Sequence, residues 1–341
     1  MNARSTDGDK VVQAQVAIFY YRSLQLPAIR SLRQKLTRWY DRAKRDLPWR
    51  KTRDPYAIWI SEVMLQQTRV AAVIPYYERF LKRFPTPASL ARAPESELLT
   101  MWAGLGYYSR ARNLQKAAQQ ITASATFPKD YESILTLAGI GPYTAAAIAS
   151  ISFGLPHAVV DGNVKRVLAR WTDNANVDAQ PLADRLLDPV DPARWNQAVM
   201  ELGATICVPR TPHCPECPVR ANCAAYRAGT QNDLPLKRAK PRPEQLERTL
   251  LIIRRNRSIL LTPSPRVKGF WDLPEHVPQS RAGAKLGEFR HTITHRHYRF
   301  TVKEATARTA PADSRWHAMN ELAKIPLSTT AKKALRIYNA L

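Results

Sequence analysis

Apolar side chains recur at helical spacing along most of the chain before residue 230, and this pattern predicts a series of α-helices. Beyond residue 246 the pattern changes to short runs rich in β-branched and aromatic residues, which is typical of strands. The predicted helices cover residues 29–40, 54–68, 70–84, 94–102, 109–116, 130–137, 144–153, 162–171, 192–206 and 328–341, and the predicted strands cover 249–254, 258–262 and 298–302. The sequence therefore predicts a mainly α-helical protein with a smaller α/β domain at its C-terminal end.

A basic, proline-rich segment, Pro235–Pro243, separates these two patterns and has the composition of an extended linker. The length of 341 residues is enough for two domains. The predicted parts of the chain are an N-terminal extension at 1–28, a helical domain at 29–230, a linker at 231–246 and a C-terminal domain at 247–341.

A tight glycine turn joins two helices of the series in the segment Leu137–Thr144, whose sequence is Leu-Ala-Gly-Ile-Gly-Pro-Tyr-Thr. Gly139 and Gly141 supply the backbone freedom that the turn needs, and Pro142 suits the first turn of the next helix. The free N–H groups at that helix start favour a phosphate group. Downstream, Asp161 precedes a basic helix, where it fits either a helix N-cap or a catalytic carboxylate. The combination suggests an enzyme that acts on a nucleic-acid backbone or base.

The charge balance supports the same interpretation. The chain carries 52 Lys and Arg against 28 Asp and Glu, a formal net charge of +24. Such an excess attracts polyanions and favours nucleic-acid binding, although a solvated basic surface or a ribosome-associated protein would share it. No apolar run reaches membrane-spanning length, and the first ten residues lack a signal-peptide core and hold two aspartates. We therefore expect a cytoplasmic protein that is associated with the bacterial nucleoid, with no membrane partner and no secretion.

All four cysteines of the chain lie within one short loop, in the arrangement C-x6-C-x2-C-x5-C. Four thiolates match either tetrahedral zinc or a [4Fe–4S] cluster. A zinc ribbon usually has two C-x2-C knuckles and this loop has one, so the compact spacing favours the cluster. The predicted ligands are Cys207, Cys214, Cys217 and Cys223.

Two further residues are candidates for a functional role, a glutamate in an apolar helix and a tyrosine in a glycine turn. Glu62 interrupts an apolar helix that ends in the polar residues Gln66-Gln-Thr68. An exposed glutamate is the ordinary explanation, but four polar groups near one apolar helix suggest the rim of a pocket. Tyr107, in the turn Gly104-Leu-Gly-Tyr-Tyr108, fits either core packing or a loop that wedges into DNA.

The chain contains the glycine hairpin, Asp161 and the cysteine loop in this order. With this combination it resembles the helix-hairpin-helix DNA glycosylases that hold an iron–sulfur cluster. Within that superfamily the chain resembles the MutY adenine glycosylases, which remove adenine mispaired with 8-oxoguanine or guanine. The motifs that carry the resemblance are Leu47-Pro-Trp-Arg50, Trp59-Ile-Ser-Glu-Val-Met-Leu-Gln-Gln-Thr68, Gly104-Leu-Gly-Tyr-Tyr108, Ala138-Gly-Ile-Gly-Pro-Tyr-Thr144, Asp161-Gly-Asn-Val-Lys-Arg-Val-Leu-Ala-Arg170 and the cysteine loop. The resemblance implies a helix-hairpin-helix glycosylase fold, one [4Fe–4S] cluster on the four cysteines and a Nudix-like C-terminal domain.

The resemblance also implies roles for individual residues. Glu62 would be the general acid that protonates adenine N7, because adenine is a poor leaving group unless protonated, and its apolar helix would raise its pKa. Asp161 would stabilise an oxocarbenium-like sugar, supported by Tyr143 and Asn163. The other implied positions are Arg50 and Gln197 at the flipped adenine, Gln67 and Tyr107 as wedges in the base stack, Thr68, Gly139 and Gly141 at the DNA, and Gln67, Thr294 and His295 at 8-oxoguanine. Two alternatives remain: Gln197 could be a plain surface residue of its helix, and His291, His295 and His297 could form a structural cluster.

Two departures from related patterns bear on the chemistry. Endonuclease III places an amine nucleophile on the second hairpin helix, where this chain has Tyr143 and no lysine between Asp130 and Lys165. An imine requires an amine, so we expect a monofunctional glycosylase without efficient lyase activity. The C-terminal domain lacks a Glu-rich Nudix helix, so no phosphohydrolase activity is expected, and Ile293-Thr294-His295 stands where the family has Phe-Ser-His.

The sequence thus predicts a monomeric enzyme whose partner is double-stranded DNA with adenine opposite 8-oxoguanine or guanine. Two alternatives stay open. A glycosylase of the same fold for thymine or uracil mispairs would share most of the motifs. A non-catalytic lesion-binding protein would have no need of a buried acid pair such as Glu62 and Asp161.

Overall fold

The computed structural model describes residues 26–236, 243–293 and 295–339, so part of the predicted extension, part of the linker and Thr294 lie outside the described residues. By its internal contacts the chain divides into two compact units. The first comprises Met1–Gln66 with Ser124–Arg238, and the second comprises Gln67–Ala123 with Ala239–Leu341. The second unit therefore combines part of the helical region with the C-terminal sheet, and the functional boundaries at 29–230 and 247–341 stay a prediction.

Helices form at all the predicted places, with small differences at their ends. They are α1 (Leu26–Ala43), α2 (Pro55–Leu65), α3 (Val70–Arg83), α4 (Pro87–Ala91), α5 (Glu95–Trp102), α6 (Ser109–Ala123), α7 (Tyr131–Leu135), α8 (Pro142–Phe153), α9 (Gly162–Thr172), α10 (Ala179–Leu186), α11 (Pro192–Thr205), α12 (Ala224–Ala228) and α13 (Thr329–Ile337). The sequence pattern misses three short helices, α4, α10 and α12, which are five to eight residues long. Among the residues described, no helix is both long enough and apolar enough to span a bilayer.

Two strongly apolar helices, α2 and α8, lie in the interior of the first unit. They pack against each other, and residues 56–64 of α2 and 144–151 of α8 are buried. A helix that is apolar on every side belongs in a core. The start of α2 is fixed by Asp54, whose carboxylate accepts hydrogen bonds from the backbone N–H groups of Tyr56 and Ala57. A polar side chain on either helix is therefore enclosed by protein.

The second unit combines α3–α6 with a sheet and α13. The strands are β1 (Glu244–Arg255), β2 (Ser258–Pro263), β3 (Trp271–Asp272), β4 (Arg281–Ile293), β5 (Arg296–Thr306) and β6 (Arg315–Ala318). Their order is β3-β2-β1-β5-β4, with β6 paired to β2. β1 and β5 are parallel, whereas β4 and β5 form an antiparallel pair. α13 packs beside this sheet, and its core includes Leu250, Phe300 and Leu335.

The three predicted strands coincide with parts of β1, β2 and β5, and the predicted terminal helix is α13. The sequence pattern does not predict β4. Gly283 and Gly287 interrupt this strand, and its first five residues are all exposed, so it lacks the alternation of polar and apolar residues of a half-buried strand. The structure confirms a helical region followed by a smaller domain built around a sheet.

Candidate active site

Glu62 is buried near the middle of α2, with a relative exposure of 6%. The hydroxyl group of Tyr143, in the first turn of α8, donates a hydrogen bond to Glu62 Oε2 at 2.6 Å. Burial raises the pKa of Glu62 to about 7; the hydrogen bond opposes this rise, and the charge of Asp161 adds to it. The alternative of an exposed glutamate is therefore wrong. Glu62 can hold and release a proton near neutral pH.

Asp161 caps the start of α9. Its Oδ1 accepts a hydrogen bond from the backbone N–H of Val164 at 2.7 Å, and its Oδ2 accepts one from Asn163 Nδ2 at 3.0 Å. The N-cap interpretation is thus correct, and it does not compete with a catalytic one. Both carboxyl oxygens of Asp161 thus accept hydrogen bonds from N–H donors of α9.

A hydrogen-bonded chain supports Asp161 from behind. Asn163 Oδ1 accepts a hydrogen bond from Arg166 Nη2 at 2.8 Å, and the same guanidinium donates to the carbonyl oxygens of Gly203 and Cys207 at 2.7 and 2.8 Å. Gly203, in α11, also has a steric role, because a Cβ atom there would lie 2.8 Å from Asn163 Cβ. The side chain next to Asp161 is therefore held by both packing and hydrogen bonds.

Arg50 and Gln197 line one cavity of about 460 Å³. The hydroxyl group of Tyr40 donates to Gln197 Oε1 at 2.9 Å, and the Arg50 guanidinium lies over the Tyr40 ring at 5.4 Å from its centroid. Arg50 also forms an ion pair with Glu201 at 2.7 Å. Gln197 is partly buried, and its role at the flipped adenine stays a prediction. The cavity offers amide, guanidinium and phenol groups to a polar ring.

The predicted hairpin is present between α7 and α8. Gly139 adopts a left-handed backbone with φ of +76°, which glycine tolerates without steric cost. Gly141 is the N-cap residue of α8 and Pro142 its first residue. On the other side of the α8 start, Tyr143, Gly162 and Lys165 line a cavity of about 830 Å³. The hairpin therefore presents free N–H groups beside a groove that contains a lysine.

Gln67, Thr68 and Tyr107 belong to the second unit. Gln67 and Tyr107 adopt left-handed backbone conformations, with φ of +57° and +46°. Such conformations cost about 1–3 kcal/mol in non-glycine residues and cluster at functional sites. Tyr107 is 51% exposed, whereas the ring of Tyr108 packs 4.2 Å from that of Phe270. Core packing thus explains Tyr108 but not Tyr107.

The four cysteine thiols line one cavity, together with apolar side chains and the buried Arg170. Arg170 Nη1 donates a hydrogen bond to Cys207 Sγ at 3.3 Å, and Cys223 Sγ donates one to the Arg170 carbonyl oxygen at 3.3 Å. Burial raises the pKa of Cys217 to about 12, so a metal must displace its proton when it binds. In the described ranges, no three His, Cys, Asp or Glu side chains are arranged to hold a single metal ion.

Comparisons with known proteins agree on the family. A model described as "HhH-GPD superfamily base excision DNA repair protein" matches residues 60–192. The adenine DNA glycosylase of Mus musculus is 32% identical over an alignment that covers 97% of this chain and 82% of the mouse protein. This chain belongs to the adenine DNA glycosylases. It is accordingly an enzyme of base excision repair.

Solved structures match less of this adenine glycosylase. A thermostable thymine-DNA glycosylase is 30% identical, with a TM-score of 0.55, and the match covers 59% of this chain and 97% of that one. A trapped endonuclease III–DNA covalent intermediate is 24% identical, with a TM-score of 0.53, covering 60% and 99%. The second match shows the fold alone. The match to the mouse adenine enzyme extends over almost the whole chain, whereas the match to the thymine enzyme ends at little more than half.

Several residues that contact the candidate site residues were not singled out from the sequence. They are Tyr40, Arg45, Arg166, Glu201 and Gly203. Glu201 carries the same signal as Glu62, an acid inside an apolar helix, and Gly203 is an isolated glycine in a helix interior, which indicates close packing. Conversely, His295 is exposed in the turn between β4 and β5, and Thr294 lies outside the described residues. Their recognition role stays a prediction.

Proposed function

We propose that this adenine DNA glycosylase excises adenine that lies opposite 8-oxoguanine or guanine in double-stranded DNA, without cleaving the strand. The observation that carries the proposal is the buried Glu62, with a pKa of about 7, in the electrostatic reach of Asp161. One carboxyl group that retains its proton beside a second that is held by N–H donors is the arrangement that glycosidic bond cleavage requires.

The reaction follows from these two groups. Glu62 transfers its proton to adenine N7, which lets the bond between C1′ and N9 break with its electron pair leaving on the base. The sugar becomes an oxocarbenium-like cation, and the Asp161 carboxylate stabilises it. Water then adds to C1′, and its proton returns to the Glu62 carboxylate. Tyr143 keeps Glu62 in place through the 2.6 Å hydrogen bond, and Asn163 does the same for Asp161.

Strand cleavage is not part of this mechanism. An imine with C1′ requires an amine where Tyr143 stands, and a phenol cannot form one. The pKa of Tyr143 is also raised well above its usual value by burial and by the charges of Glu62 and Asp161, so the hydroxyl group stays neutral. We therefore expect an abasic site as the product.

The cysteine loop fits a [4Fe–4S] cluster. Its four thiols share one cavity without converging on a single ion, and a cluster offers a separate iron corner to each thiolate, whereas zinc needs all four at one point. Cys207, Cys214, Cys217 and Cys223 would hold it. When bound, the cluster would supply a rigid crosslink for the loop, whose Arg210, His213 and Arg220 would then face the DNA backbone as a basic surface.

The DNA contacts follow from the hairpin and the strained residues. The N–H groups at the start of α8 suit a phosphate, and Lys165 in the neighbouring cavity adds a positive charge. Gln67 and Tyr107 suit the space that a flipped adenine vacates, because both residues are exposed and can enter a base stack. Thr294 and His295 would read the opposite base.

Single-turnover release of adenine tests the proposal. Duplexes with adenine opposite 8-oxoguanine, guanine or thymine are compared with thymine and uracil mispairs. We expect release from the first two and loss of more than a hundredfold in Glu62→Gln, since general acid catalysis typically contributes that much or more. Undiminished release in Glu62→Gln, or release of thymine or uracil instead, would contradict the proposal, as would binding without turnover on every duplex.

Two further measurements test the finer claims. Borohydride trapping of wild-type protein with an abasic duplex should give little covalent adduct, and strand cleavage coupled to base release would contradict monofunctionality. Anaerobically prepared protein should contain about four iron atoms per chain, as the proposed cluster requires. One zinc atom per chain would exclude the cluster.

A further inference from the structure

Glu201 is fully buried in α11 and has no part in the steps above. Its Oε1 accepts hydrogen bonds from Arg45 Nε at 2.8 Å and from the Arg45 backbone N–H at 3.0 Å. Its Oε2 accepts from Arg45 Nη2 and Arg50 Nη2, both at 2.7 Å. These ion pairs lower the pKa of Glu201 to about 2 against the opposing effect of burial, so the side chain is ionised at every pH at which the protein works.

Arg50 connects this ion cluster to the active site. Its guanidinium is only 13% exposed, and Arg50 Nη1 donates a hydrogen bond to the carbonyl oxygen of Arg45 at 3.1 Å. The positive charge of Arg50 reaches Glu62 and lowers the pKa of that carboxyl group, which acts against its use as an acid near neutral pH. Two guanidinium groups and one carboxylate leave a net charge of +1 beside the site, whereas without Glu201 it would be +2.

We propose that Glu201 is a positioning residue for base excision, which fixes Arg50 at the rim of the 460 Å³ cavity and offsets its charge beside the general acid Glu62. The inference rests on the proposed acid role of Glu62. Other charged or titratable groups that act on Glu62 are Tyr143 from α8 and Asp161 from the start of α9. Glu201 thereby allows an arginine to line the cavity without depriving the acid of its proton.

A purely structural ion pair would also be buried and would also stabilise the fold. The variants must therefore distinguish an effect of the net charge of the cluster from a loss of packing. In Glu201→Gln the net charge of the cluster rises to +2, and in Arg45→Gln it falls to 0. The double variant Glu201→Gln/Arg45→Gln restores +1. Charge balance therefore predicts opposite effects for the two single variants and a return toward the wild type in the double variant, which a loss of packing would not produce.

The measurement is the single-turnover rate of adenine release from pH 5 to 9, with DNA affinity measured in parallel. In the wild type the rate should fall with rising pH around a midpoint near 7, where Glu62 loses its proton. In Glu201→Gln we expect this midpoint to move by about one unit toward acid, so that release above pH 7 slows about tenfold while release at pH 5 changes much less. In Arg45→Gln we expect the midpoint to move toward alkaline pH. This shift should be smaller than the one in Glu201→Gln, because the Arg45 side chain is partly exposed and solvent screens its charge. The double variant should lie close to the wild type.

The matched control is Glu244→Gln, which makes the same chemical change in an exposed ion pair, that of Glu244 with Arg296, outside the cavity. The midpoint of the pH profile in this control should lie within a few tenths of a pH unit of the wild-type value, since exposed charges are screened. An unchanged midpoint in folded Glu201→Gln would overturn the inference. If that variant does not fold, an unchanged or acid-shifted midpoint in Arg45→Gln would do the same. Absence of adenine release in the wild type, or of the alkaline decline, would instead count against the proposed function.

Discussion

Each of the two units buries a carboxyl group, and the two groups are surrounded differently. In the second unit, Asp272 at the end of β3 is fully buried, and its Oδ2 accepts hydrogen bonds from Arg266 Nη2 at 2.9 Å and from Thr330 Oγ1 of α13 at 3.0 Å. In the first unit, the hydrogen bond described for Glu62 comes from one neutral hydroxyl group, that of Tyr143. Asp272 forms an ion pair with Arg266, whereas Arg50, whose positive charge acts on Glu62, forms its ion pair with Glu201.

This difference separates a carboxylate in a buried ion pair from the carboxyl group that we propose as the catalytic acid. A buried charge is tolerated when a cation and hydrogen bonds replace the water that it has lost, and the arrangement then stabilises the surrounding loop. A buried carboxyl group without a cation keeps its proton instead, which costs stability whenever it must ionise but provides an acid. The surroundings of the two groups, more than their burial, assign the roles.

The largest effect is expected from Asp272→Asn. The amide retains the shape of the side chain but leaves Arg266 without a negative partner on that side, and breaking one partner of a buried ion pair typically costs about 3–5 kcal/mol. Hydrogen exchange measured by mass spectrometry should show faster exchange in β1, β2 and α13 and little change in α2 and α8. Equal acceleration in both units, or none in the sheet, would show that Asp272 is not the structural carboxylate described here.

Replacing the buried carboxyl group of the first unit by an amide, in Glu62→Gln, should stabilise the fold at alkaline pH, whereas Asp272→Asn should destabilise it. The pKa of Glu62 is raised from 4.5 to about 7 on folding, so the contribution of this group to the free energy of unfolding is fully present below pH 4.5 and is lost as the pH rises through 7. Glu62→Gln removes this loss and should raise the unfolding free energy at pH 8 by about 3 kcal/mol, with the gain fading toward pH 4.5. Urea unfolding of both proteins at pH 5 and pH 8 measures it. A destabilised variant at pH 8 would mean that Glu62 has a stabilising partner like that of Asp272.

The third effect concerns the backbone behind Asp161. Gly203→Ala places a methyl group 2.8 Å from Asn163 Cβ, so the segment that carries Asp161 must shift. A displacement of about 1 Å can slow a reaction about a hundredfold, and we expect a loss of tens of fold in single-turnover release with DNA affinity preserved. Gly162→Ala is the matched control, because its methyl group would meet nothing within 4 Å. Equal losses in the two variants would show that packing at Gly203 does not position Asp161.

The sequence predicts the helices, the hairpin and the candidate acids, because each depends on local period or on residue type. Glu62 and Gly141 can be singled out in this way. The partners of these residues cannot, since Tyr143 lies 81 positions from Glu62 and Arg45 lies 156 positions from Glu201. Which of two acids in apolar helices meets a cation is decided by helix packing across these distances. The pairing of Glu201 with arginine therefore becomes visible only in the fold, as does the absence of such an ion pair at Glu62 among the residues that the structure describes.

The smallest effects should come from removing one hydroxyl group beside each carboxyl group. Thr330→Val deletes a neutral donor to Asp272 and should cost about 1–2 kcal/mol of unfolding free energy. Tyr143→Phe deletes the donor that lowers the pKa of Glu62, so that pKa should rise and the alkaline decline of adenine release should move upward by less than about one unit. Calorimetry and the pH profile of single-turnover release measure the two effects. A decline that moves toward acid in Tyr143→Phe would mean that the tyrosine favours the protonated form of Glu62, and the two carboxyl groups would then differ less than their surroundings indicate.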